Sequence, residues 1–235
     1  MRTKRKIVLV LLIATIFSGV QTTQAKPKAK ADSLASYTVI HAIPMGFGAD
    51  IVDVYLNNNL VIDNATPGAM ADLTVPRGNA TLKIYANGVK PSDTSTPLLS
   101  ASPVYLSNGS NYSFVAHLSA DEKAKLSIFK NMTTDAGSKR SWLTVRHVAS
   151  AGAVQLRVNG VPTFVPLVNS IERKRSFGFG TYSIDALVSE SSTVVAGPTN
   201  VAIAKNKNVV LYIWGSKSKG PISILKQEIG TRKDD

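Results

Sequence analysis

The chain has no cysteine among its 235 residues. That absence excludes a disulfide framework, a thiol nucleophile and an acylated lipoprotein anchor, so the fold must be held by apolar burial. Histidine is scarce, with three residues, which leaves few candidates for a general base. No Gly-x-Ser-x-Gly elbow occurs, and the acids are scattered through turns rather than paired. These absences read as a protein that is not an enzyme and needs no cofactor. Long amphipathic helical patterns are also missing; at most Ser119–Lys125 would form one turn.

A single long apolar run is present, Ile7 to Phe17, preceded by Arg2, Lys4, Arg5 and Lys6 and followed by Thr23-Gln24-Ala25. It is too short for a membrane anchor and has the three-part layout of a secretory signal, with cleavage expected after Ala25. The mature chain is then expected to be secreted or extracytoplasmic, with no membrane span. Residues 26–35 are Lys-, Ala- and Pro-rich and read as a flexible tether. Residues 231–235 form a polar tail.

Charge is unevenly spread. The formal net charge of +12 includes the four basic residues of the signal, and residues 36–135 carry six basic against eight acidic residues. Residues 136–235 carry fourteen basic against six acidic. A positive field confined to one half suits an anionic partner. Export disfavours nucleic acid and points instead to an envelope polymer or a surface glycan.

From Tyr37 onward, short runs rich in Val, Ile, Thr, Tyr and Phe alternate with Gly, Pro and Asn turns at sandwich-like spacing. Strands are expected at 37–43, 51–56, 60–63, 69–75, 80–86, 98–106, 111–118 and 125–130. The pattern then repeats. Tyr37-Thr38-Val39-Ile40-His41-Ala42 returns as Leu143-Thr144-Val145-Arg146-His147-Val148. Val54-Tyr55-Leu56-Asn57 returns as Leu156-Arg157-Val158-Asn159, and Leu126–Lys130 as Ile222–Lys226. A repeat of this length implies duplicated domains rather than a solenoid. The expected architecture is all-β: two tandem Ig-like antiparallel β-sandwiches, at 36–131 and 142–230, joined by a linker at 132–141.

The same residues resemble a known family. His41-Ala42-Ile43-Pro44 with Ala49-Asp50-Ile51-Val52-Asp53-Val54-Tyr55-Leu56-Asn57 resembles the V-H-A-S-P-D-A-P-x-V-D-V-Y-V-D-G opening of a bacterial secreted family, domain of unknown function 4397. Leu73–Asn79 and Leu106–Ser113 resemble its later L-x-x-P-A-G-x-H and L-x-x-G-x-x-Y-T segments. The second copy is degenerate: Ala149-Ser150-Ala151-Gly152 lacks the Pro, and Gln155 stands in the place of Asp53. The resemblance implies an Ig-like sandwich at the cell surface and no particular activity.

Several residues invite chemistry. His41 and His147 fall on core-facing strand positions and read as structural, each satisfying a hydrogen bond across the following loop. Asp50 and Asp53 beside His41 have no metal-loop spacing; with Pro44 they read as structural hallmarks, and no metal is expected. The five Asn-x-Ser/Thr triplets, at Asn64, Asn79, Asn108, Asn111 and Asn131, carry little weight in turns rich in Asn and Thr. The basic residues of the second copy carry the functional expectation. Arg146 and Arg157 replace Ile40 and Tyr55 on what reads as one outward face, and Arg173-Lys174-Arg175 read as a loop run. Guanidinium groups bind phosphate or carboxylate bidentately. The leading expectation is an exported, non-catalytic cell-envelope module whose basic second domain contacts anionic wall or surface polymers. The alternatives are a structural or protein-partner-binding spacer and, more remotely, a carbohydrate-active or metal-dependent hydrolase.

Overall fold

The computed structural model describes residues 34–231; the expected signal, most of the tether and the tail beyond Thr231 lie outside the described residues. Strands account for all regular structure there. The first half contributes β1 (Leu34–Ala42), β2 (Val52–Leu56), β3 (Asn59–Ala65), β4 (Met70–Pro76), β5 (Gly78–Ala80), β6 (Leu82–Ala86), β7 (Leu99–Ser100), β8 (Val104–Leu106), β9 (Asn111–Leu118) and β10 (Ala124–Lys130). The second contributes β11 (Arg140–His147), β12 (Val154–Val158), β13 (Val161–Pro162), β14 (Glu172–Gly178), β15 (Gly180–Val188), β16 (Val194–Ile203), β17 (Lys207–Trp214) and β18 (Ser223–Gly230). Among the described residues no helix is long and apolar enough to cross a membrane.

Each half is a sandwich. In the first, sheet β10-β9-β1-β4 packs on sheet β3-β2-β6-β7; in the second, β14-β11-β17-β18 packs on β13-β12-β15-β16. Tyr37, Val39, Val54, Ile84 and Phe114 interleave from both sheets of the first core, and Leu143, Val145, Leu156, Ile184 and Leu211 do so in the second. Most pairings are antiparallel, as expected, but β1 runs parallel to β9 and β11 parallel to β17. Long connections that carry the chain round the sandwich make that pairing accessible. Two expected strands are divided: 80–86 extends back to Gly78 but breaks at Thr81, and 98–106 breaks at Ala101-Ser102-Pro103. A proline in that break cannot donate to a ladder.

Equivalent positions in the two halves make equivalent bonds. The Nε2–H of His41 donates to Ala49 O at 2.7 Å while its Nδ1 accepts from Ile43 N at 3.4 Å. His147 does the same with Gly152 O at 2.9 Å and Ala149 N at 3.3 Å. Asn57 and Asn159, both left-handed, each accept a backbone N–H on the side-chain oxygen at 2.9 Å, from Thr81 and Ser183. Asn tolerates that conformation and substitutes for a missing backbone partner, which explains its return in the sequence.

The two sandwiches stack through their equivalent sheets. β1, β9, β11 and β17 are buried along nearly their whole length. Residues facing away from each core close on one another: Ile40, Ala42 and Val115 from the first sandwich meet Val148, Val210, Tyr212 and Ile229 from the second. Four sheet layers result, and the central strands of the two inner ones are covered on both faces. A polar chain crosses this interface. Arg146, 1% exposed, donates to Glu172 Oε2 at 2.9 Å, the Tyr212 hydroxyl at 2.7 Å and Asn131 Oδ1 at 2.8 Å, with its guanidinium 4.4 Å from the Phe129 ring centroid. Tyr212 donates onward to Gln227 Oε1 at 2.6 Å, Gln227 to Thr38 Oγ1 at 2.6 Å, and Thr38 to Asp72 Oδ1 at 2.5 Å.

Arg146 therefore does not point into solvent as its sequence phase suggested. The face opposite His147 is an outer face of the second sandwich alone, but an interior face of the whole molecule. Removing a buried side chain of this size, each of whose guanidinium nitrogens is bonded, leaves a cavity and unpaired acceptors. Arg146→Ala should cost about 3 kcal/mol or more in urea unfolding. Arg146→Leu, close to its counterpart Ile40, should cost clearly less. Equal losses would show that the charge itself, rather than the filled volume, holds the stack.

Candidate functional site

With the inner faces occupied, charge can reach solvent only on the outer sheets, the edges and the loops. Arg157 lies on the outer sheet, a layer away from Arg146, so the two arginines do not share a face. Its guanidinium forks onto Asp185 across the β12–β15 pair, Nε to Oδ1 at 2.8 Å and Nη2 to Oδ2 at 2.5 Å. That carboxylate neutralises it and occupies the geometry an external anion would need.

Arg173, Lys174 and Arg175 lie on β14, the edge strand of the inner sheet, rather than in a loop. All three are exposed. Arg173 and Arg175 project on one side of the strand, on the order of 7 Å apart along it, and Lys174 on the other. Among the described residues Arg175 donates to Thr163 O at 3.2 Å and Arg173 to Glu172 O at 3.0 Å, both backbone carbonyls. Lys174 sits 5.6 Å from the Trp142 ring centroid. Arg140, at the start of the adjoining strand, donates to Ser176 O at 2.6 Å. Among the described residues none of these four cations pairs with a carboxylate. Sequence reasoning missed Arg140 because only the β11–β14 pairing, Arg140 opposite Gly178, brings it to this edge.

Pairing register locates the counterparts in the first sandwich. Val145, Thr144 and Leu143 face Arg173, Lys174 and Arg175, just as Val39, Thr38 and Tyr37 face Ala71, Asp72 and Leu73. The same edge strand is thus basic in one half and neutral to acidic in the other.

The remaining candidates are engaged locally. Asp53 is buried and accepts Asn64 N at 3.0 Å and Gly88 N at 2.8 Å, pinning the turns beside β2. Gln155 replaces it and bonds Phe164 O instead. Asp50 accepts Gly46 N at 2.7 Å, capping the loop that follows the half-buried Pro44. Among the described residues no three His, Asp or Glu side chains gather as a metal-ligand set. Asn131, one of the glycosylation triplets, is 5% exposed inside the interface, where a glycan has no room.

All three histidines are buried, and desolvation lowers their pKa values. His117, at the interface, is pushed from 6.5 to about 4; its Nδ1–H donates to Leu118 O at 2.7 Å and its Nε2 accepts from Ser127 at 2.8 Å.

The class these features define, among the described residues, is an all-β double sandwich with a basic edge. Residues 35–157, just over half of the chain, match the family DUF4397, a domain of unknown function, and the chain belongs to that family. The match covers the first sandwich and ends in β12. No curated protein matches. Among solved structures, the TIE protein of Bacillus anthracis aligns at 12% identity and a TM-score of 0.24, covering 81% of this chain and 34% of that one. The chain thus spans about a third of that protein's length. CBMbc (family CBM26) from Eubacterium rectale Amy13K, solved in complex with maltoheptaose, aligns at 11% identity and a TM-score of 0.26, covering 85% and 98%.

The depressed histidines have a defined pH consequence. Between pH 6.5 and about 4 the unfolded chain takes up a proton that folded His117 refuses. Stability is therefore complete above that window and lost as pH falls through it, by on the order of 3 kcal/mol for this residue. Thermal melts across the window should show the loss, and His117→Gln should flatten it; an identical pH profile for the variant contradicts the assignment.

Proposed function

We propose that the chain is an exported, non-catalytic cell-envelope module whose second sandwich holds an anionic wall or surface polymer along its β14 edge. The observation that carries this reading is the contrast between equivalent edges, Arg173-Lys174-Arg175 against Ala71-Asp72-Leu73. Among the described residues these exposed cations have no carboxylate partner, so they can pair with an external anion from both sides of the edge, and Arg140 adds a fourth. Repeating charges on an extended strand match a polymer that carries an anion at each unit. Lys174, laid against Trp142, adds apolar surface beside the charge. The export signal read from the sequence supplies the compartment in which wall teichoic acids and acidic polysaccharides are the abundant anions. Basic residues on an edge strand also discourage pairing with other chains, and the two roles make different predictions.

Retention of the purified protein on immobilised wall teichoic acid should fall steeply as salt rises, because exposed charge pairs are screened. Arg173→Ala, Lys174→Ala and Arg175→Ala together should weaken binding about tenfold or more and shift unfolding stability by no more than about 1 kcal/mol. Binding that ignores ionic strength, or survives the triple substitution, rejects the polymer role. A triple variant that binds normally but self-associates would assign the basic row to edge protection alone.

A further inference from the structure

The first sandwich contains a cavity of ≈200 Å³ that opens between β3 and β4, the facing edges of its two sheets. Its wall is apolar, built from Val52, Val54, Ala65, Ile84 and Ala116, with His41 at the inner end. A smaller void of ≈70 Å³ continues on the far side and shares His41, Val52, Ile84 and Ala116 as walls. The pairing of β3 with β2 shifts register within Val52–Tyr55, and Asn64 is left-handed at φ 55. That irregularity bends β3 and leaves the slot open at its rim.

Comparison with the second sandwich shows how the space arises. Val52 faces Ala65, whereas the equivalent Val154 faces Leu167. His41 faces Ala116, whereas His147 faces Ile213. Leu167 and Ile213 are fully buried in the second core, beside Phe164. In the opposite sense, Val54 faces Ile84 where Leu156 faces Ala186, which offsets only part of the difference. The same scaffold is therefore filled in one copy and hollow in the other. An apolar cavity larger than about 150 Å³ accepts a benzene-sized guest.

We infer that this slot in the first sandwich binds a short apolar group of about six carbons carried on a neutral, hydroxyl-bearing head. Size limits the guest to a fragment, since pockets for larger ligands start at roughly 300 Å³. The inner wall offers no free polar group, because both ring nitrogens of His41 are already bonded. The rim carries Asp63, Asn64 and Thr66 and no basic residue. Asp63 accepts a hydroxyl and repels a carboxylate, so the alcohol is favoured over the acid of the same chain length. This site lies in the other sandwich from the basic edge and stands or falls separately from it.

The test is titration of the purified chain with 1-hexanol, followed by methyl NMR shifts, with hexanoate as the charge control. Shifts should be confined to Val52, Val54, Ile84, Ala65 and Ala116, and hexanoate should bind about tenfold more weakly or worse. Ala116→Ile and Ala65→Leu, which install the residues of the second sandwich, should each abolish binding without lowering the melting temperature. No shifts with 1-hexanol up to about 10 mM, or unchanged affinity in either filled variant, overturns the inference. Failure of both variants to fold overturns it too, since it would mean that the space is not there to be filled.

Discussion

Stacking of the β10-β9-β1-β4 sheet on the β14-β11-β17-β18 sheet is the constraint on which the rest of the molecule depends. A chain without disulfides must bury enough apolar surface to offset its conformational entropy. Two separate sandwiches would leave Ile40, Val115, Val210 and Tyr212 in water; stacked, these residues form a third core between the other two. The stack also decides where function can be placed. Inner-sheet faces are lost to solvent, and what remains are outer sheets, edge strands and loops. Both functional readings follow from that restriction, one at the β14 edge and the other at the gap between the β3 and β4 edges.

Much of the fold was legible in the sequence, because its signals were local. Alternation and turn residues located most strands, and the recurring His and Asn positions marked two equivalent halves because each half needs the same loop bond and the same left-handed turn. The phase of His41 and His147 was readable for the same reason. What failed was the status of the opposite face. Alternation with core residues points Arg146 toward solvent, and alternation cannot tell water from a neighbouring sandwich. A signal was nevertheless present. Ile40, Ala42, Val115, Val148, Val210 and Tyr212 share that phase and are apolar or aromatic, so these strands read as continuous hydrophobic runs, the signature of sheets covered on both sides. The neutralisation of Arg157 by Asp185 and the arrival of Arg140 beside β14 rest on strand pairings, which one sequence does not specify.

The repeated scaffold also supplies an internal control. Many strand positions in one sandwich have a partner at the same register position in the other, so differences between the halves are separated from what the fold requires. His41 and His147 agree, and their bonds are architectural. Ala71-Asp72-Leu73 and Arg173-Lys174-Arg175 disagree on an exposed edge, where packing asks little of either. Ala116 and Ile213 disagree inside a core, where packing asks a great deal, and a hollow there has to be tolerated at a cost in lost contacts. The two disagreements point to different uses of the two copies.

The interface shows why the copies could not stay identical on their inner faces. Two equivalent, wholly apolar faces are self-complementary, and nothing in them would distinguish the sandwich on the same chain from one on a neighbouring chain. Arg146 breaks that equivalence. Its guanidinium needs Asn131 from the first sandwich as an acceptor and Phe129 beneath it, and Gln227 needs Thr38. Two second sandwiches stacked on each other would set two guanidinium groups against a face that offers Ile229 where Asn131 stands and Gln227 where Phe129 stands. A charge buried without its acceptors costs several kcal/mol. The polar chain from Glu172 to Asp72 therefore contributes less to the strength of the stack than to its selectivity. It makes the first sandwich of the same chain the surface that satisfies the second.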